Sequence, residues 1–343
     1  MGGKKLARAS LWCLVLLGAV VWPGCTKEPP PRLEQLETFS MDTYFRLTTP
    51  GLTGAQKEAV INELAEMDRL FNRFSPDSDI SRINAQAGQQ VPVSDKTMDL
   101  LIQARDLAAR TGGYFDPTIG PLAELWQIGP ASKPEAQENW QPPGQAEVAQ
   151  ACRLVDYREL KLDPARGLVQ LAQPGMKLDV GGIAKGYAVD LIAALVKSWG
   201  IENALIDFGG DYYVLGRHPE GRPWKLGIRH PRDPSRAIAV VTVQDRAVTT
   251  SGDYQRYRFY EGQRFSHLLH PFTGYPAREL TSVTILAPSG VLADGLATAV
   301  FILGPEAGMA LVENWPGVDC VMIDRDLNVQ VSSGVKDSIS FPE

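Results

Sequence analysis

Apolar residues at Val60, Leu64, Met67 and Phe71 recur at intervals of three and four, the spacing that lines one face of a helix. Leu100, Ala104 and Leu107 repeat the pattern behind Ser94, whose side chain suits the first free N–H groups of a helix. The second half reads differently. Ala204–Phe208 and residues 237–243, 281–287 and 318–323 are short β-prone runs between turn residues. Helices and strands do not alternate regularly, so the pattern predicts an α+β fold, with mixed or antiparallel sheets packed against helices, over a doubly wound parallel sheet. No internal repeat is visible. Residues 130–145, rich in Pro, Gln, Glu and Ala, read as a surface insertion rather than a domain boundary.

The N-terminus departs from this globular pattern. Lys4, Lys5 and Arg8 precede an apolar run from Leu11 to Trp22. That run is about half of the roughly 20 residues a membrane-spanning helix requires, and it reads as a secretion signal. Gly24-Cys25 closes it and resembles the lipobox of bacterial lipoproteins, although Trp22 and Pro23 depart from the usual residues. The expected organisation is a lipoprotein-type signal peptide over 1–24, an extended tether over 25–35 that starts at a lipidated Cys25, and one domain over 36–343. Plain secretion without a lipid is the alternative. The body would be exported and held at the membrane, facing the periplasm.

Composition narrows the choice of partner. The chain is 44% hydrophobic and 22% charged, as ordinary globular proteins are, and its formal net charge of −6 argues against a sequence-independent grip on nucleic acid, with a local basic pocket left open. Two cysteines, Cys152 and Cys320, remain in the body, which excludes a disulfide scaffold. They could pair in an oxidising compartment or stay as separate thiols.

Three segments carry candidate chemistry. Leu178, Asp179, Val180, Gly181 and Gly182 run from a strand-like start into glycines, and a helix follows with Ala184, Ala188, Leu191, Leu195 and Trp199 on one face. Adjacent glycines at a helix entry let the backbone approach a phosphate, and Lys185 can add a positive charge; an ordinary tight turn is the alternative. Asp294 and Thr298, four residues apart, share a helix face that is otherwise apolar. A carboxylate and a hydroxyl set there suit magnesium, which takes oxygen ligands. A capping Asp with a back-bonded Thr is the alternative, and for the pair taken alone the favoured one. The third runs from Thr249-Thr250-Ser251-Gly252-Asp253-Tyr254 to Ser266–Tyr275 and holds two of the four histidines, His267 and His270, which can serve a metal, proton transfer or turn structure.

These segments stand in order with Ser40-Met41-Asp42-Thr43-Tyr44, with residues 72–84 including Ser78, Ile80 and Ser81, and with the run from Tyr114 through Phe115, Asp116 and Pro117 to Trp126. The ordered set resembles the ApbE-type FAD:protein FMN transferases, often bacterial lipoproteins, over nearly the whole mature chain. The resemblance implies an ApbE-like fold and FAD as substrate, bound with magnesium across its pyrophosphate. FMN would pass to a Thr or Ser hydroxyl of an acceptor flavoprotein subunit, in membrane redox complexes, with release of AMP. It further implies that Asp294, Thr298 and the Gly182 carbonyl hold the magnesium, and that Met41, Tyr114, Phe115, Asp116, Asp179, Lys185 and Leu268 contact FAD. His267 would accept the hydroxyl proton. Where the family carries Asp in His-x-x-Asp-Pro-x-Thr-Gly, this chain has His270, which would have to replace the carboxylate as a hydrogen-bonding group or alter activity and metal preference. An FAD pyrophosphatase and a non-catalytic, lipid-anchored flavin binder are the other readings.

Overall fold

Successive residues of a strand face opposite sides, and in this protein the two sides meet different cores: Ala247 packs among helices, whereas its neighbour Val248 packs against a second sheet. The computed structural model describes residues 32–127 and 140–342. Its central sheet has eight strands, β1 (Glu34–Ser40), β2 (Thr43–Thr49), β3 (Ala204–Phe208), β4 (Asp211–Leu215), β5 (Arg246–Gly252), β6 (Leu280–Ala287), β7 (Asp319–Asp324) and β8 (Val329–Val331). They lie side by side in chain order, and every neighbouring pair is antiparallel. Every residue of β6 is buried, because both of its faces are covered.

One face carries a three-stranded sheet of Trp224–His230, Asp233–Val243 and Ile339–Ser340. Trp224, Leu226, Ile228, Val241 and Val243 meet Val214, Val248, Leu286 and Ile323 in an apolar layer. The other face carries helices. In chain order the described α-helices are α1 (Gly54–Phe71), α2 (Asp79–Ala85), α3 (Asp95–Arg110), α4 (Gly120–Trp126), α5 (Gln145–Cys152), α6 (Ala184–Ser198), α7 (Gly290–Leu303) and α8 (Pro305–Glu313); α4 and α5 pack apart from that face, in a cluster with Trp140, Phe265 and Leu269. The cap on α3 is the expected one, Ser94 Oγ accepting from the Thr97 N–H at 3.2 Å. In α1 the residues read from periodicity, Val60, Leu64, Met67 and Phe71, are all buried. The α+β class follows, with antiparallel pairing throughout the described strands and one isolated parallel bridge, Ile119 with Lys177.

Several sequence expectations change. Glu34 and Gln35, assigned to the tether, pair with Thr49 and Thr48 as the first rungs of β1. The strand-like start of the glycine segment amounts to that isolated bridge. In α6 the deepest side chains are Val189, Ile192 and Val196, while Leu191, Leu195 and Trp199 are partly buried; a helix covered on several sides hides more than one stripe. Within the run taken as a surface insertion, Trp140 is buried against Trp126 and donates its indole N–H to the Trp126 carbonyl at 3.2 Å. Residues 128–139, the signal over 1–24 and Cys25 lie outside the described residues. Among the described residues no helix is long and apolar enough to cross a membrane. Cys152 and Cys320 are free thiols, the second buried.

Helix α7 is the centre of this architecture. Gly, Ala and Asp alternate with larger apolar residues along it, and it is buried on nearly all sides. Ser289 caps it and Asp190 supplies a second cap, accepting from the Gly290 and Val291 N–H groups at 2.6 and 3.0 Å. Asp294 sits inside α7 and does not cap its own helix; its carboxylate instead caps α6, accepting from the first-turn N–H of Gly186.

Candidate active site

The crossing of α6 and α7 sets the site. A Cβ on Gly186 would overlap the Gly290 carbonyl and lie 2.8 Å from the Asp294 Cβ, so only glycine permits this approach. The contact leaves the Gly186 N–H facing the Asp294 Oδ2, to which it donates at 3.0 Å. Lys185, one residue earlier, pairs with Asp211 of β4 and stands 3.8 Å from the Asp294 Oδ2. Asp211 and Asp294 are 2% and 3% exposed, so the ammonium offsets buried charge that would otherwise be costly. Burial raises the Asp211 carboxyl and Lys185 opposes that rise. Against its own burial penalty, Lys185 is held above the ordinary lysine value by Asp211 and Asp294.

The glycine turn lies over Thr298. A Cβ on Gly182 would come 3.1 Å from the Thr298 Oγ1. The turn is pinned from three directions. Asn84 clamps Leu178, accepting from its N–H at 2.6 Å and donating to its carbonyl at 2.9 Å. The Asp179 N–H donates to the Pro117 carbonyl at 2.9 Å. Asp179 Oδ1 accepts from the Gly181 N–H at 2.9 Å, while its Oδ2 pairs with Arg73 at 3.2 Å.

Among the described residues neither the Thr298 hydroxyl nor the Gly182 carbonyl has a hydrogen-bond partner, which also removes the back-bonded reading of Thr298. One Asp294 oxygen, a free hydroxyl and a free carbonyl thus meet at the same wall. Three hard oxygen donors of this kind fit magnesium, with room left for phosphate oxygens.

Aromatic side chains also line the cavity. Tyr114 meets the Phe272 ring edge-on at 5.4 Å, and Phe115, 3% exposed, backs the glycine turn. Asp116 lines the cavity but spends its carboxylate on the loop: it accepts from the Thr118 N–H and Oγ1 at 2.8 and 2.6 Å and from the Tyr157 N–H at 2.9 Å. Burial nevertheless lifts its pKa to about 6. Met41 and Asp42 form the tip of the β1–β2 hairpin, both left-handed with φ of 47° and 59°, as a two-residue turn matched to strand twist requires.

His267 follows the hairpin of Tyr257–Tyr260 and Gln263–Ser266. Its Nδ1 lies 3.1 Å from the Arg256 carbonyl. A carbonyl can only accept, so Nδ1 carries the proton and Nε2 keeps its lone pair. Burial, then the positive charges of Arg256 and Lys185, lower the ring to about 4, and the imidazole is neutral near pH 7.

His270 has another task. Its Nδ1 accepts from the Phe272 N–H at 3.2 Å, its own N–H donates to the Tyr275 carbonyl at 2.9 Å, and its ring meets Tyr114 and Phe272. Accepting from the N–H two residues on is what an Asp does in an Asx-turn. The imidazole thus keeps a turn-capping role and does not line the cavity. The loop is further tied by the Trp126 indole, which donates to the Gly274 carbonyl at 2.7 Å.

Met41, Tyr114, Phe115, Asp116, Asp179, Gly182, Lys185, His267, Leu268, Asp294 and Thr298 all line a single cavity of about 510 Å³. Thr250 and Tyr254, from the run that opens the third candidate segment, join them, as do Arg73, Arg229 and Arg256, which were not singled out from the sequence. Asp211, buried behind Lys185, was missed as well. No spacing rule marks it, and only its position after Gly209-Gly210 at a strand entry hints at a special role.

Comparison with known proteins finds relatives over nearly the whole described body. A family model described as the ApbE family matches residues 41–322. An FAD:protein FMN transferase of Treponema pallidum is 36% identical over 83% of this chain and 81% of its own length. One from Escherichia coli strain K12 is 31% identical, covering 91% and 92% respectively. Among solved structures, the ApbE protein of Thermotoga maritima aligns with a TM-score of 0.81 at 31% identity, over 90% of this chain and 99% of that one. The flavin transferase ApbE of Vibrio cholerae aligns with 0.79 at 29%, over 90% and 100%.

Proposed function

The chain belongs to the ApbE family, and on that premise we propose how its cavity carries out flavin transfer. The protein is an enzyme of the FAD:protein FMN transferase type. FAD lies along the cavity, its pyrophosphate over the glycine turn and its rings against Met41, Tyr114 and Phe115. The acceptor presents a Thr or Ser hydroxyl at His267. Nε2 takes the hydroxyl proton, and the oxygen attacks the phosphorus on the FMN side of the pyrophosphate. The bond from that phosphorus to the bridging oxygen breaks, and AMP leaves with the oxygen and both electrons of the bond. Lys185, freed from part of its pairing by the incoming phosphates, moves positive charge toward them.

Asp294, Thr298 and the Gly182 carbonyl would hold magnesium. Bound there, the cation withdraws charge from the pyrophosphate oxygens and makes the phosphorus a better electrophile. Asp116 fixes the loop that carries Tyr114 and Phe115.

One observation carries this reading: an imidazole with a free Nε2 faces the same cavity as the Asp294 carboxylate and the unpartnered Thr298 hydroxyl and Gly182 carbonyl. The test is to incubate the full chain with FAD, magnesium and a panel of exported flavoproteins, and to look for flavin fluorescence that survives denaturing electrophoresis. A fluorescent acceptor band is expected. Free FMN and AMP alone across that panel would replace transfer by hydrolysis. We further propose that a lipid on Cys25 holds the enzyme at the membrane, facing the periplasm, near acceptor subunits of membrane redox complexes. Fatty-acid labelling that persists in the Cys25→Ala chain would refute the anchor.

A further inference from the structure

A second cavity, of about 500 Å³, borders the same segment that carries His267. Consecutive side chains of an extended segment point to opposite sides. Ser266, the last residue of its strand, lines this cavity where His267 lines the first; Asp253 and Tyr254, in the turn after β5, are likewise divided between the two cavities. In a chain of net charge −6, Arg232, Arg264, Arg278 and Arg325 gather here against a single carboxylate, Asp253.

Two of the four guanidinium groups are engaged. Arg232 grips Asp253 with both terminal nitrogens, at 2.6 and 2.8 Å, and Arg264 reaches it at 3.2 Å while lying over the Tyr257 ring. The other two meet no carboxylate among the described residues. Arg278 rests over Phe265 and reaches Gln263 Oε1 at 3.4 Å; Arg325 makes no hydrogen bond or ion pair. Ser266 lines the same cavity at 2% exposure, and its hydroxyl has no partner. A buried hydroxyl left unpaired is costly unless a ligand meets it.

The chemistry selects the ligand. Guanidinium forks match carboxylate and phosphate alike, but Asp253 already occupies one side and would repel a phosphate dianion. A single carboxylate fits what remains. The source follows from the neighbouring site, and here the argument rests on the flavin-transfer reading. The acceptor must bring a hydroxyl to His267, whose Cα is about 3.8 Å from that of Ser266 by covalent geometry. A protein partner covering on the order of 800 Å² spans both. We propose that the arginine cavity is a docking subsite for an acidic side chain of the acceptor protein, taken by Arg278 and Arg325 with the Ser266 hydroxyl donating to it.

The probe is a pair of fluorescein-labelled peptides, each with one threonine, flanked in one by aspartates and in the other by asparagines. Their binding to the full chain is read by fluorescence anisotropy. The aspartate peptide should bind about tenfold more tightly, a margin that Arg278→Glu/Arg325→Glu should abolish; both arginines are exposed, so folding should survive. Equal binding of the two peptides overturns the proposal. So does a double variant that still discriminates between them. Inorganic phosphate that displaces the aspartate peptide more strongly than chloride does at equal ionic strength overturns the carboxylate assignment. Phosphatidylglycerol vesicles that capture the parent chain but not the variant, with peptide binding unchanged, would make the surface a membrane contact instead. Because binding is read without turnover, failure of flavin transfer in the gel assay is a separate result.

Discussion

The two faces of the eight-stranded sheet bury side chains under different rules. Beneath the small sheet, Val214, Val248, Leu286 and Ile323 meet Leu226, Ile228 and Val241, and the layer gains its stability from apolar area alone. Beneath α6 and α7, Asp211, Lys185 and Asp294 share the interior with Val189, Ile192 and Leu296. Charges survive there because two glycines bring the helices close enough for Asp294 to reach the free first-turn N–H of Gly186, and because Lys185 answers both carboxylates. A face that packs only side chains offers no such donor. One face therefore stabilises, and the other stabilises and reacts.

That contrast can be broken. Asp294→Asn keeps an acceptor for the Gly186 N–H but removes the charge that a cation needs; flavin transfer, followed by gel fluorescence, should fall about 10²–10³-fold with the fold retained. Ile323→Ala on the opposite face should cost about 2–5 kcal/mol in urea unfolding while the KM for FAD stays put. A change in that KM would mean the faces are not separable. Gly186→Ala tests the crossing itself and should lose about 1–3 kcal/mol together with transfer, since the added methyl meets backbone.

Two smaller effects sharpen the site. With the folded pKa of His267 lowered to about 4, the base form persists as pH falls, so the acidic limb of kcat/KM should lie near 4. A limb at about 6.5, the ordinary imidazole value, would count against His267 as the base. His270→Asp should leave transfer within about twofold, because either side chain caps the same turn.

The elements that repeat a period were legible in the chain itself. α1 and α3 announced themselves through apolar spacing and a cap, and Ala204–Phe208 matched its strand residue for residue. Asp294 and Thr298 were readable as a pair because one helix face held both. What escaped depends on packing. The buried arc of α6 widened once α7 lay across it, and Trp140 was hidden in a run whose composition suggested solvent. Asp211 and Arg256 enter the site from strands and turns distant in sequence, where no interval links them to their partners. The question raised by His270 was one of geometry: only the turn reveals that its ring nitrogen does the work of a side-chain oxygen.

Lys185, resting between two acidic side chains, has a consequence for how the enzyme is assembled. A site whose charge is already answered from within can wait empty. On the proposed function, the chain can fold and be stored without any divalent ion at hand, and the ion would enter with the substrate as a late component. Chelation should then idle this enzyme without unfolding it, and adding the ion back should restart it within a single binding step.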